Sequence, residues 1–364
     1  MLHNWDTERM LSTRPAELRL TLAPQRRFEA IDVTTRIAQE AGDLLRRHRK
    51  ALYCSLHTTA GYLEQSLSTR LQKDGGVSQF FGSFHALFPE GAAYHHDRME
   101  LRTELSDAQK VVEPRNADSH LTYIGAGLRN CVTYQTRPDV PVYFIDLDGT
   151  TDAMKRRRTT TVLAYDEERV VSHMSVRVPV SKHPIDSVNL ADPRLGLLEQ
   201  VNELLARTGL ERGRVDLMIE PTERNVGLTV NEYETLLMQN DLVDVLRDPL
   251  RFARIKAHSI LDDPFAIPGK TLSYAKYDVV RVLNSLMEAL GLDQSSLERL
   301  VAKVMAVPAR HFVRSRKVSF LATHEPGHST ARVVRGTYQS PILVQWQTAV
   351  GQERRLDISI VQLS

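Results

Sequence analysis

Twice along its 364 residues the chain runs through the same signals: an alternating strand, a helix opened by an aspartate, then a second strand. In the first half Leu18, Leu20 and Leu22 alternate with Arg19 and Thr21, the period-2 pattern of a strand with one buried face. Asp32 offers N-cap chemistry to a helix whose apolar stripe is Ile37, Ala41, Leu44, Leu45 and His48. A strand over 51–56 follows, with Leu52, Cys54 and Leu56 on one face, and further strands are predicted at 130–136, 140–147 and 159–165. The block 74–114 reads as loop-rich, punctuated by Gly75-Gly76, Pro89, Gly91 and Pro114. The second half opens with a strand at 170–178. Asp192-Pro193 then starts a helix carrying Leu197, Leu198, Val201, Leu204 and Leu205, with Gly209 as its stop, and a strand at 215–219 comes next. The stretch 231–258 reads as mainly helical, with helices at 278–290 and 295–304 and strands at 318–321, 331–334, 342–346 and 356–363. Short strands among helices and turn-rich loops predict an α+β fold, with the boundary between halves near 166–169.

Composition removes several function classes. With 42% hydrophobic and 25% charged residues the chain is that of an ordinary globular protein rather than a disordered one. Lys and Arg total 47 against 45 Asp and Glu, a formal net charge of +2, which argues against dedicated nucleic-acid binding. Cys54 and Cys131 are the two cysteines and form no CxxC pair, so a disulfide scaffold and a multi-thiolate zinc site are excluded and a reducing compartment is expected. No uncharged apolar run approaches the roughly 20 residues that span a bilayer. The charged stretch 1–14 does not read as a signal peptide, so no membrane partner and a cytoplasmic location are expected.

Three polar stretches carry the chemistry: His57-Thr58-Thr59-Ala60-Gly61 after a strand, Tyr94-His95-His96-Asp97 in the loop-rich block, and Asn116-Ala117-Asp118-Ser119-His120-Leu121. Neutral imidazoles suit zinc and similar divalent ions, which in catalytic sites take three protein ligands and a water; histidines also serve as acids or bases, or bind phosphate when charged. No short motif joins these histidines. By themselves Thr58 and Thr59 read as strand-end residues and Asp148-Gly149 as a turn. The basic run Lys155-Arg156-Arg157-Arg158 reads as a solvated sheet edge. Residues 268–271 end like a phosphate loop but lack its first glycine, and Pro326-Gly327 removes the helix that His324 and His328 would need as a metal clip.

Taken in order, strand–His57-Thr58-Thr59-Ala60-Gly61, Tyr94-x-His96, Asn116-x-x-x-His120-Leu121 and the apolar strand ending in Asp146-x-Asp148-Gly149 resemble the YjbQ-like family, often described as secondary thiamine-phosphate synthases. Ile31-Asp32-Val33-Thr34 matches a further feature upstream, and the likeness covers about residues 18–165. The resemblance implies a small α+β domain with a largely antiparallel sheet, assembling as a trimer around a polar histidine pocket. It implies a transferase that joins a pyrimidine pyrophosphate to a thiazole phosphate, so the partner is a phosphorylated small molecule. On this reading His57, His96 and His120 hold a divalent metal, zinc or magnesium, and His57, Thr58, Thr59, Asn116 and Asp148 form the catalytic set.

The first half departs from the family where an Asn-Glu pair is replaced by Gln65-Ser66, a Gly-Thr-Trp-Gln segment by Arg137-Pro138-Asp139-Val140, and the Pro-Arg after Asp-Gly by Thr150-Thr151. The second half holds what is missing: Gly227-Leu228-Thr229-Val230-Asn231-Glu232 resembles the segment with the Asn-Glu pair, and Gly336-Thr337-Tyr338-Gln339 resembles Gly-Thr-Trp-Gln. There Glu223 to Val226 replaces His-Thr-Thr-Ala, Gln347-Thr348 replaces Asp-Gly, Ile185-Asp186 stands for Ile31-Asp32, and His328 answers to His120. The expected organisation is an N-terminal extension over 1–17, a YjbQ-like domain over 18–168, and a diverged tandem copy with a helical insertion over 169–364. Complementary losses suggest one composite site, with histidines from the first half and Asn231, Glu232 and Tyr338 from the second. The rival reading is a catalytically inactive binding or assembly module with a vestigial pocket, in which both halves have drifted.

Overall fold

The structure, a computed structural model, describes residues 14–72, 75–137, 140–150, 155–249, 251–253, 255–256, 308–324 and 330–364. The helices expected at 278–290 and 295–304, the segment 268–271, residues 325–328, the first thirteen residues, and Pro138, Asp139 and Thr151 lie outside them.

The fold is α+β, and every strand pairing is antiparallel. The first half contains β1 (Ala16–Leu22), β2 (Glu29–Asp32), α1 (Val33–Ala41), α2 (Leu44–Arg47), β3 (Lys50–Ser55), β4 (Ala60–Gly61), α3 (Gln65–Arg70), α4 (Gly76–Leu87), α5 (Asp107–Val112), α6 (Ala117–Ala126), β5 (Cys131–Gln135), β6 (Tyr143–Asp146) and β7 (Arg158–Tyr165). The second contains β8 (Glu168–Pro179), β9 (Asp186–Asn189), α7 (Leu197–Thr208), β10 (Arg212–Ile219), β11 (Val226–Asn231), α8 (Leu242–Arg247), α9 (Pro308–Phe312), β12 (Lys317–His324), β13 (Ala331–Val334), β14 (Ser340–Gln345) and β15 (Glu353–Leu363).

The topology is duplicated. Strands β1-β7-β3-β5 form one sheet and β2-β6-β4 a second; in the other half β8-β15-β10-β12 and β9-β14-β11 follow the same order, with β13 added at the edge. Register extends the match to single residues. Ala60 and Gly61 face Asp146 and Ile145, as Val226 and Gly227 face Gln345 and Val344. Outside the ladders, Val33 donates to the Val142 carbonyl as Leu190 donates to that of Pro341, and Tyr62 donates to Arg129 as Leu228 does to Ser315.

Two of the sequence correspondences are corrected by this register. Glu29 faces Asp146 and Asp186 faces Gln345, so Asp186 sits where Glu29 does, and the counterpart of Asp32 is Asn189. Both side chains cap the backbone that follows, since Asp32 accepts the amide of Thr34 and Asn189 that of Ala191. Strand β12 takes the place of β5, so His328, which follows β12, cannot answer to His120, which precedes β5.

Alternation along the strands explains the layers. Ala51 and Tyr53 of β3 turn toward α1, where Val33 and Ile37 are fully buried. Leu52 and Cys54 turn the other way and meet Leu321, Val361 and Leu363 of the second half. Helix α7 covers the outer face of the second large sheet through Val201 and Leu205. The single helix expected up to His48 is broken at Gly42, whose φ of 60° stops α1 and starts the turn into α2. The block expected to be loop contains α4, with Phe80, Phe81, Phe84 and Leu87 buried against α6, α8 and Phe312 in a core shared by both halves. No helix among the described residues is long and apolar enough to cross a membrane.

Candidate functional site

The histidine stretches sit where the two repeats meet. Beyond β3, Ser55 pins the loop that carries His57: its hydroxyl donates to the Ala60 carbonyl at 2.6 Å and accepts the His57 amide at 3.2 Å. From the second repeat Gln339 donates to the carbonyls of Ser55 and His57 at 3.0 and 2.9 Å. Three residues earlier Gly336 lies so close to the Leu56 carbonyl that a Cβ would overlap it, so only glycine lets the segment approach. Tyr338, expected to reach the site, is 69% exposed; Gln339, 1% exposed, makes the contact instead.

His96 and His120 come together, with ring centroids 5.3 Å apart and both residues buried. His96 Nδ1 is 2.8 Å from Asp97 Oδ1, which also accepts the amide of Ala117 in the first turn of α6. Asp241 of the second repeat accepts the amides of His95 and His96, and Lys256 lies 3.6 Å from that carboxylate. His120, on α6, has Nδ1 2.6 Å from Asn231 Oδ1. Asn231 donates through Nδ2 to the Thr58 carbonyl at 3.2 Å, and its Oδ1 also accepts the Glu232 amide at 2.8 Å. The His120 proton therefore sits on Nδ1, and Nε2 turns its lone pair toward Glu232 Oε2, 3.9 Å away. The second repeat thus fixes the tautomer of a histidine of the first.

His57 joins this pair through charge and backbone rather than ring contact. Its Nε2 accepts the Thr159 amide at 2.8 Å, leaving the proton on Nδ1 in the neutral ring. Burial, then the charges of Arg158 and Arg156, lower its pKa to about 3. Burial, then His96, lower His120 to about 3, and Arg156 contributes there too. His96 moves the other way because the hydrogen bond and charge of Asp97 outweigh its desolvation. Desolvation raises the pKa of Glu232, whose side chain is 23% exposed and forms the solvent side of the cluster.

Around the imidazoles lies an ionic framework that the sequence reading missed. Asp146 and Arg158 form a fully buried bidentate pair at 2.7 Å, and Arg158 also donates to Thr59 Oγ1 and to the Asp148 carbonyl. Asp148 Oδ2 accepts from Asn116 Nδ2 and from Arg156, both at 2.7 Å. Arg27 holds Asp118 at 2.8 and 2.9 Å and approaches Asp148 Oδ1 at 3.5 Å. The basic run expected on a solvated edge therefore contributes two site arginines. Its available signal was the spacing of two that puts Arg156 and Arg158 on one face. Arg102, 2% exposed, packs near Glu234 at 3.6 Å and is bonded to Glu104.

The framework leaves particular atoms unfilled. Asp148 Oδ1, Asn116 Oδ1, Arg156 Nε and Arg102 Nη1 are buried without a hydrogen-bond partner. Two of these accept and two donate. His57 does not fit as a third metal ligand, because its Nε2 lone pair is taken by the Thr159 amide, whereas His120 is bonded through Nδ1 and keeps Nε2 free. Among the described residues no group of three or more His, Cys, Asp or Glu is arranged to hold a metal ion.

No protein-family model matches the chain, and no curated protein matches it. Solved structures do. A YbjQ-like protein of unknown function from Sulfolobus solfataricus P2 is 15% identical, with 54% of this chain and 99% of that one covered and a TM-score of 0.27. A hypothetical protein from Aeropyrum pernix K1 is 15% identical over 53% of this chain and 99% of that one, at a TM-score of 0.28. An uncharacterized conserved protein of the yjbq/upf0047 family from Clostridium acetobutylicum is 11% identical over 51% and 98%, at 0.25. About half of this chain is similar to YjbQ-like proteins of unknown function, and its α+β assignment rests on the strand pairing given above.

Proposed function

We propose that the junction between the repeats binds a phosphorylated heterocycle and acts as a transferase of the thiamine-phosphate synthase kind. The observation that carries this reading is the set of unfilled polar atoms. Asp148 Oδ1 and Asn116 Oδ1 call for N–H donors such as an aminopyrimidine offers, while Arg156 Nε and Arg102 Nη1 call for phosphate oxygens.

The chemistry follows from what these groups can do. As the carbon–oxygen bond to pyrophosphate breaks and the carbon–nitrogen bond to the thiazole forms, the electron pair leaves with pyrophosphate. On this reading Arg156, Arg102 and the Nδ1–H of neutral His57 stabilise that charge. The His120 Nε2 lone pair and Glu232, whose pKa is raised by desolvation, form an acid–base pair that can hold the proton the leaving group takes up. No step calls on a metal.

Supplying an aminopyrimidine methyl pyrophosphate with a thiazole phosphate tests this. The expected result is pyrophosphate release that falls at least a hundredfold in Asp148→Asn and His120→Ala. Wild-type protein that neither binds nor turns over the pair contradicts the reading and leaves the assembly module standing.

A further inference from the structure

A cavity lies between the repeats, away from the histidines, and its chemistry is different. Its volume is about 380 Å³, and its lining includes Arg70, Arg129, Arg314, Arg316 and Lys317, with Glu64 as the carboxylate. Ser66 also lines it, at the place in the first repeat that Glu232 holds in the second.

The charges are unevenly matched. Arg129 is paired with Glu64 at 2.6 Å and Lys317 with Asp216 at 3.2 Å. Arg314 donates to the carbonyls of Gly125 and Ala126 at the end of α6, and Arg316 to that of Glu220. Among the described residues neither of these two has a carboxylate at ion-pair distance. Arg129 Nε is buried with no hydrogen-bond partner. Desolvation, then the charge of Arg129, lowers the pKa of Arg314, and Glu64 compensates its positive charge only in part.

We propose that this cavity is a second anion site, which takes a small phosphate-class ligand between Arg129, Arg314 and Arg316. Guanidinium groups converging from both repeats match the oxygens of such an ion better than a single carboxylate does. The volume suits a small ion such as inorganic phosphate or pyrophosphate. Because Arg129 belongs to the first repeat and Arg314 and Arg316 to the second, an occupant ties the repeats together.

Pyrophosphate and inorganic phosphate, titrated calorimetrically at fixed ionic strength into the full chain, test the proposal. One saturable class of sites is expected to weaken at least tenfold in Arg314→Gln/Arg316→Gln and to persist unchanged in His120→Ala. Arg314 caps α6, so Arg316→Gln alone, whose side chain bonds one carbonyl, is the second variant, with a several-fold loss expected and circular dichroism unchanged. Binding that is indifferent to both arginine variants, or that disappears in His120→Ala, overturns the second site. Absence of any further binding class that is lost in His120→Ala counts against the junction transferase and leaves this site standing.

Discussion

At one place in both repeats an arginine at the start of the last strand reaches back to the end of the strand before it, and the two repeats answer differently. In the first, Arg158 meets Asp146, an ion pair closed off from water. In the second, Arg354 meets the neutral Gln345 at 3.2 Å and finds its charge partner in Glu223, in the loop that replaces the histidine segment. That loop is also longer, since Ser55 to Ala60 corresponds to Ile219 to Val226. The same scaffold therefore carries an ion pair closed off from water beside an incompletely satisfied polar cluster in one copy, and a partly accessible ion pair in the other. The second copy lends its Asn231, Glu232 and Gln339 to the first.

The largest contrast concerns the buried arginines. Arg158→Met leaves Asp146 charged and buried without compensation and is expected to cost about 3–5 kcal/mol in urea denaturation. Arg354→Met leaves a neutral amide and a partly accessible Glu223, for about 2 kcal/mol. Equal losses would break the distinction between the repeats.

Acid should also separate them. His120 has a folded pKa near 3 against about 6.5 unfolded, so the unfolded chain binds the proton more readily. Its contribution is fully present above the unfolded value and is lost as pH falls toward 3, amounting to about 2 kcal/mol by pH 5. In the second repeat His173, His183 and His324 are exposed, and His311, half-buried, is lowered by burial and then by Arg310 and Arg314. Hydrogen exchange at pH 5 and 7 is expected to show α6 loosening before β10 and β15; simultaneous loosening would contradict this.

A smaller effect distinguishes the equivalent positions Asn231 and Gln65. Asn231→Leu is expected to weaken phosphorylated-heterocycle binding about tenfold, or ~1.4 kcal/mol. Gln65, which bonds only Gln135 on the surface, should tolerate leucine within about threefold.

Much of the strand order was legible because period-2 alternation survives in single strands; β13 is found at the residues expected for it. The strands β2, β4 and β9 were not legible, since Glu29–Asp32 and Asp186–Asn189 carry charged or polar residues at both ends and Ala60–Gly61 is two residues long. Helix α4 was hidden because Gly75-Gly76 reads as a breaker, whereas burial of its phenylalanines against the second repeat decides the local structure. Of the site, the residue stretches were visible by motif and the partnership of Asn231 by complementary loss. Arg27 and Arg102 were not, because Asp118 and Glu234 lie far along the chain, and Arg156 and Arg158, though close in sequence to Asp148 and Asp146, stand in a basic run that reads as a solvated edge.

The central claim is that a residue of one repeat sets the proton of a histidine in the other. Nitrogen-15 NMR of histidine-labelled protein reads this directly, with His120 assigned by its loss in His120→Gln. The account predicts a neutral Nδ1–H ring that stays unprotonated to about pH 4 and loses its fixed tautomer in Asn231→Leu. A His120 that titrates near 6.5, or keeps the same nitrogen shifts when Asn231 is replaced, would contradict it.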